Sequence, residues 1–159
     1  AVMAHEALMR QDKDVHRGWF VMESQISGLA LDVMYAKPDP KNRVWTYTQN
    51  GTEAQLWRFD EEGRLESQLS GLVLDLEMGS TRDKSGVWMY HKDLTKSQKW
   101  IYTDSGELQN ELNGLVVEVI DANPEKMGLV YMRPKSDHVS QKWKLIPVSS
   151  DTDSSAPGG

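Results

Sequence analysis

Cysteine is absent from all 159 residues. No disulfide can brace the fold, and no thiolate is available as nucleophile or metal ligand. Small secreted domains commonly depend on disulfides, so a cytoplasmic location is expected over a secreted one. The first residues do not read as a signal peptide, which agrees. One sequon, Asn50-Gly51-Thr52, points the other way, but Asn and Gly are also ordinary turn residues. Runs of Lys and Arg are missing too. With a net charge of −6 and a pI near 5.2, the chain lacks the basic face that nucleic acid or an anionic membrane requires. No apolar stretch approaches the roughly 20 residues that span a bilayer. The four histidines, His5, His16, His91 and His138, are scattered without metal-ligand spacing, and no glycine-rich phosphate loop is present. No metal, cofactor or catalytic role is expected. Phenylalanine is scarce as well: two Phe stand against six Trp and five Tyr, residues that suit both core corners and wet binding surfaces.

What is present is a repeat. Gln55-Leu56-Trp57 returns as Gln98-Lys99-Trp100 and as Gln141-Lys142-Trp143, at an interval of 43 residues. The same interval links Gly28-Leu29, Gly71-Leu72 and Gly114-Leu115. It links the acids Asp32, Asp75 and Glu118, and the valines Val44, Val87 and Val130. Met22, Leu65 and Leu108 fall in register, as do Ile26, Leu69 and Leu112, and no gap is needed. Unrelated residue types share one period, so the unit is structural and occurs three times.

Each unit reads as short strands. Gly71 to Glu77 and Gly114 to Ile120 are rich in β-formers. Val44 to Tyr47 and Val87 to Tyr90 are second strands, Gln55 to Phe59 and Gln98 to Tyr102 third ones, and Arg64 to Ser67 a fourth. Turn chemistry separates them: Pro38-Asp39-Pro40, Asn50-Gly51, Glu62-Gly63, Ser105-Gly106 and Asn123-Pro124. Sustained helical periodicity is lacking between residues 18 and 148. The expectation is an all-β structure with pseudo-threefold symmetry. The three valines and the Met22, Leu65, Leu108 set would point into its core. The six Gln-x-Trp residues are read as structural, with Trp wedged between strands and Gln satisfying turn backbone.

The three evenly spaced Gln-x-Trp signatures, with co-registered Gly-Leu pairs and acids, resemble the ricin-type β-trefoil lectins over residues 18–148. The resemblance implies a β-trefoil of twelve strands, six closing a barrel and six capping it as hairpins. It also implies shallow sugar pockets, one per repeat, in which an acid grips hydroxyls and an aromatic on the next strand covers the sugar's C–H face. Carried onto this chain, the first repeat supplies Asp32 and Tyr47 and the second Asp75 and Tyr90. Asn50 and Asp93 stand on the loop after the aromatic. The third repeat supplies Glu118 but has Arg133 at the aromatic position, a weaker site in which the two charges could pair. Three departures recur: Ala54, Ser97 and Ser140 stand where an Asn commonly precedes Gln-x-Trp, and Trp45, Trp88 and Tyr131 replace a polar residue.

The implied function is a non-catalytic carbohydrate-binding module that takes a glycan or glycoconjugate through repeats one and two. The alternative is a protein-interaction trefoil of a larger intracellular protein that has lost sugar binding, with Trp45 and Trp88 as contact patch. Residues 1–17 read as an extension outside the repeat, and residues 149–159 as a flexible Ser/Asp/Gly tail without a packing role.

Overall fold

The computed structural model describes residues 18–148 and builds them from twelve short strands and six single 3₁₀ turns. The expectations for 1–17 and 149–159 lie outside the described residues. In chain order the strands are β1 (Phe20–Ser24), β2 (Ala30–Val33), β3 (Val44–Tyr47), β4 (Trp57–Phe59), β5 (Leu65–Ser67) and β6 (Val73–Leu76). They continue as β7 (Val87–Tyr90), β8 (Trp100–Tyr102), β9 (Leu108–Asn110), β10 (Val116–Val119), β11 (Gly128–Arg133) and β12 (Trp143–Pro147).

Several strands are shorter than the β-rich runs suggest, for local reasons. Gly71 is excluded from β6 because it holds a left-handed φ of 73° and closes a turn on the carbonyl of Ser67 at 2.9 Å. Gly28 and Gly114 do the same in their repeats, so the Gly of each Gly-Leu pair is a turn requirement. Gln55 and Gln98 end 3₁₀ turns, Glu53–Gln55 and Lys96–Gln98, instead of opening a strand. The chain must turn there for the glutamine side chain to reach back into its own loop.

Three hairpins, β2–β3, β6–β7 and β10–β11, each pair over four residues. The other six strands form a ring. β1 pairs with β12 and β4, β4 with β5, and β8 with β9. The Phe20–Trp57 pairing between β1 and β4 has two equivalents: the Trp100 N–H donates to the Gly63 carbonyl at 2.9 Å, and the Trp143 N–H to the Gly106 carbonyl at 2.8 Å. The hairpins are joined as well. The Lys41 N–H donates to the Met89 carbonyl, Lys84 to Met132 and Met127 to Thr46, each from one repeat into the next hairpin. This is the β-trefoil.

The core gathers the repeated positions. Met22, Leu65 and Leu108 are wholly buried, and Val44, Val87 and Val130 pack in the same cluster. Trp57, Trp100 and Trp143 are at most 2% exposed. Their indole N–H groups donate to the carbonyls of Leu31, Leu74 and Val117 at 3.0, 2.9 and 3.3 Å. Each tryptophan therefore adds a hydrogen bond to its apolar bulk, so its polar edge is not orphaned. Leu112 departs from its counterparts: Ile26 and Leu69 pack on the core, whereas Leu112 is exposed.

One buried charge breaks the symmetry. Glu107 is fully buried and stands where the second repeat has Arg64. It accepts from the Lys142 ammonium at 2.7 Å, from the Ser105 hydroxyl at 2.9 Å and from the Thr103 hydroxyl. Burial alone would raise its carboxyl, but the bonds from Lys142, Thr103 and Ser105 and the charge of Lys135 outweigh burial and hold it down at about 2.

Two outcomes follow. Trp100→Ala should lower stability by about 3–5 kcal/mol, as large-to-small core changes do, measured by denaturant unfolding. For Glu107 the folded carboxyl lies below its unfolded value of about 4.3. Its stabilisation is therefore present above that value and lost as pH falls toward about 2. The melting temperature of Glu107→Gln should start lower at neutral pH and fall less steeply through this window. Parallel pH profiles for the two proteins would show that Glu107 is not the group.

Candidate functional site

Each hairpin carries its acid on the first strand and its aromatics on the second. The register sets Asp32 opposite Trp45, Asp75 opposite Trp88 and Glu118 opposite Tyr131. Side chains alternate along a strand, so Tyr47 and Tyr90, two residues further on, share the face of the acid. Trp45 and Tyr47 lie nearly parallel at 5.7 Å and 14°, and Trp88 and Tyr90 at 5.6 Å and 14°. In the third repeat the guanidinium of Arg133 sits 5.9 Å from the Tyr131 ring centre.

The Gln-x-Trp residues hold this arrangement from behind. Each tryptophan bonds the carbonyl just before the acid: Leu31 before Asp32, Leu74 before Asp75 and Val117 before Glu118. Each glutamine is fully buried and clamps the loop after the aromatic. Its Oε1 accepts from the backbone N–H of Asn50, Asp93 or Ser136 at 2.8–3.0 Å. Its Nε2 donates to the carbonyl of Thr48, His91 or Pro134 at 2.7–2.8 Å. In the second and third repeats the same amide reaches the acid: Gln98 donates to Asp75 at 3.3 Å and Gln141 to Glu118 at 2.8 Å.

The acids are consequently engaged from inside. Asp32 is 6% exposed, and its Oδ2 accepts from the Trp45 indole N–H at 3.1 Å. Asp75 is equally buried and accepts from the Ser97 hydroxyl at 2.8 Å. Burial pushes both carboxyls above the ordinary range. The bonds from Trp45 and Gln55 at Asp32, and from Ser97 and Gln98 at Asp75, oppose it. Trp45 in the place of a polar residue thus caps Asp32 directly. Trp88 does not repeat this: its indole nitrogen is buried without a partner, and Ser97 fills the capping role that Ala54 cannot.

Around Asp32 the first repeat opens a cavity of about 380 Å³. Tyr35, Trp45 and Tyr47 form its walls, with Asn50, Glu53 and Met127 also in the lining. The residues Asp32, Tyr47 and Asn50 marked by the sequence thus meet in one pocket. The Oδ1 of Asn50, however, accepts from the N–H and hydroxyl of Thr52, and that of Asp93 from Thr95, so both oxygens serve their own turns. Asp75, Tyr90 and Asp93 repeat the backbone placement in the second repeat. In the third, Glu118 is half-buried against Gln141, and Arg133 lies 2.9 Å from Asp83 of the second repeat. Arg133 pairs with Asp83, so the expected pairing with Glu118 gives way to a nearer acid on the neighbouring loop.

Two lining residues were not legible in advance. Tyr35 is 66% exposed at φ 56°, and its ring tilts toward Trp45 at 4.8 Å. A bulky residue is disfavoured there. Met78 and Asp121 take φ 56° and 57° at the equivalent positions, so the hairpin backbone imposes the shape and Tyr35 complies. Met127 comes from the third repeat, placed by its N–H bond to the Thr46 carbonyl at 2.7 Å. Its in-register counterparts Lys41 and Lys84 were the available signal. Among the described residues no group of three or more His, Cys, Asp or Glu could hold a metal ion, and no helix is long and apolar enough to cross a membrane.

Ser97→Ala should raise the Asp75 carboxyl further by removing a bond to its charged form, and Ala54→Ser should lower that of Asp32. Carboxyl-detected NMR titration reads both, and unchanged midpoints would show that position 97 does not tune the acid.

The model of the ricin-type β-trefoil lectin domain matches residues 18–143. A search by sequence among curated proteins returns no match. By structure the chain is similar to ThreeFoil, a designed threefold-symmetric protein, with a TM-score of 0.79 and 29% identity over 82% of this chain and 99% of that one. It is similar to the C-half of an earthworm R-type lectin in complex with GalNAc, with a TM-score of 0.72 and 19% identity over 81% and 98%. It is also similar to the Rhizoctonia solani agglutinin, with a TM-score of 0.71 and 18% identity over 83% and 96%.

Proposed function

We propose, for a chain that belongs to the ricin-type β-trefoil lectin domain family, that it binds glycans without catalysis through the hairpin pockets of repeats one and two. Carbohydrate binding is the general property of the family. The assignment to particular pockets is carried by one observation: in the first repeat a carboxylate, a tyrosine ring and a loop asparagine line a single cavity. A sugar needs such a pairing, a ring for its C–H face and convergent polar atoms for its hydroxyls. Asp32 offers its remaining acceptor capacity to that cavity, and Tyr47 offers the ring. Asp75 and Tyr90 repeat the pair. The third repeat is set apart because its ring is replaced by Arg133, held by Asp83. Its longer acid, Glu118, is already bonded by Gln141.

Shallow sites of this kind bind weakly, with dissociation constants around the millimolar scale, about −4 kcal/mol. Useful affinity then comes from engaging two sites on one glycan or on a multivalent surface. The GalNAc complex of the earthworm lectin supports a saccharide as ligand class.

A protein-binding role is the second reading, and one observation favours it: one oxygen of Asp32 and both of Asp75 are already bonded within the chain. Trp45, only 6% exposed, cannot serve as a contact patch, so a partner would meet Tyr35 and the half-buried Trp88. A cytoplasmic location, proposed from the lack of cysteine, suits that role.

Titration with galactose, lactose and GalNAc, followed by amide NMR, separates the two. Glycan binding should shift resonances around Tyr47 and Tyr90, and Tyr47→Ala with Tyr90→Ala should abolish the shifts while the fold persists. Asp32→Ala with Asp75→Ala should do the same. Shifts confined to Glu118 and Arg133, or none with any saccharide, would defeat the assignment and favour a protein partner.

A further inference from the structure

Ammonium groups of the chain itself sit over rings of the first two hairpins. Lys126 places its Nζ 5.5 Å from the centre of the Tyr47 ring, and Lys37 places its own 6.0 Å from Tyr35. Lys41 lies 5.9 Å from Trp88 in the same manner. The chain carries an excess of acids, with 24 Asp and Glu against 18 Lys and Arg, and cations such as Lys92, Lys99, Lys135 and Lys142 pair with carboxylates. Among the described residues Lys37, Lys41 and Lys126 pair with none. They rest on rings instead.

Two of the three flank one cavity. Lys37 follows Ala36, and Lys126 precedes Met127, both of which line the first pocket. Lys126 is held there by the backbone: the Met127 N–H bonds the Thr46 carbonyl, and Gly128 and Leu129 pair with Thr46 and Trp45. The single acid at the centre, Asp32, is buried and accepts the Trp45 indole N–H with its Oδ2, so only its remaining acceptor capacity faces a ligand. Glu53 is the exposed carboxylate of the lining, on the 3₁₀ turn away from the Lys126 loop in sequence.

A saccharide ring that stacks on Tyr47 must displace the ammonium above it. A neutral sugar returns to that cation only hydroxyl acceptors and no opposite charge. A sugar bearing a carboxylate or a sulfate gives it a partner of opposite charge at the moment its ring face is taken. We infer that the first pocket takes an acidic saccharide, with the ring on Tyr47 and the anionic substituent met by Lys126 of the third repeat. This rests on the glycan-binding reading above and adds the ligand's charge and the residue that reads it.

The test uses matched pairs on the full chain by calorimetry and amide NMR: lactose against 6′-sialyllactose, and galactose against galactose 6-sulfate. The acidic member should bind roughly fivefold more tightly than its neutral partner, the range of an exposed ion pair. That preference should shrink as salt is raised, disappear in Lys126→Gln and reverse in Lys126→Glu, with shifts around Tyr47. A preference in one pair alone would support the inference and identify the anion as carboxylate or sulfate. Equal binding within both pairs, or a preference that survives Lys126→Gln, would overturn the inference and leave the glycan-binding reading standing. No binding of any of the four saccharides would overturn both.

Discussion

A buried glutamine amide, repeated three times, is the contact on which site and scaffold both depend. Gln55, Gln98 and Gln141 each have one amide to spend and use all of it. The oxygen takes a loop N–H and the nitrogen serves a loop carbonyl, and in the second and third repeats the nitrogen also meets the acid of the preceding hairpin. Two residues later the tryptophan indole pins the strand that carries that acid. A buried amide or indole left unmet would cost about 1–3 kcal/mol, so each repeat is held to one geometry. The hairpin that displays the acid and the ring is therefore fixed by residues that touch no ligand.

The same constraint explains where the repeats are free to differ. Positions outside the clamp vary in chemistry while the backbone stays the same. Ala54, Ser97 and Ser140 occupy one place, yet only Ser97 bonds an acid, and Ser140 meets His138 instead. Tyr35, Met78 and Asp121 share one left-handed backbone but give an exposed ring, an exposed thioether and a carboxylate. Arg64 and Glu107 share a position and carry opposite charges, each answered locally, by Asp60 and by Lys142. A threefold scaffold thereby carries three unlike hairpin faces.

The fold was legible because its determinants are local and repeated: the Gly of the turn, the Trp of the core and the strand-forming runs all recur at one interval. The strand ends were less so, since Gly71 and Gln98 are set by turn geometry that β-propensity does not describe. Within the site, Asp32 and Tyr47 could be named from position, but their environment could not. The Trp45 cap on Asp32 depends on cross-strand register, and the bond of Arg133 to Asp83 on a neighbouring repeat's loop. Met127 and Lys126 belong to the third repeat and serve the first, a contact that a repeat read in isolation omits.

The first pocket is thus a joint product of two repeats: its hairpin supplies the acid and ring, and the loop before it in the threefold ring supplies part of the wall. That loop is seated by Met127 on Thr46, and its equivalents by Lys41 on Met89 and Lys84 on Met132. Under the proposed function the first two hairpins take glycan and the third does not. A crystal of the domain soaked with lactose tests it most directly. A sugar ring is expected against Tyr47 or Tyr90, with the Gln55 and Gln98 clamps unchanged behind it. A sugar seated only beside Arg133 and Glu118, or against a face away from the hairpins, would contradict it.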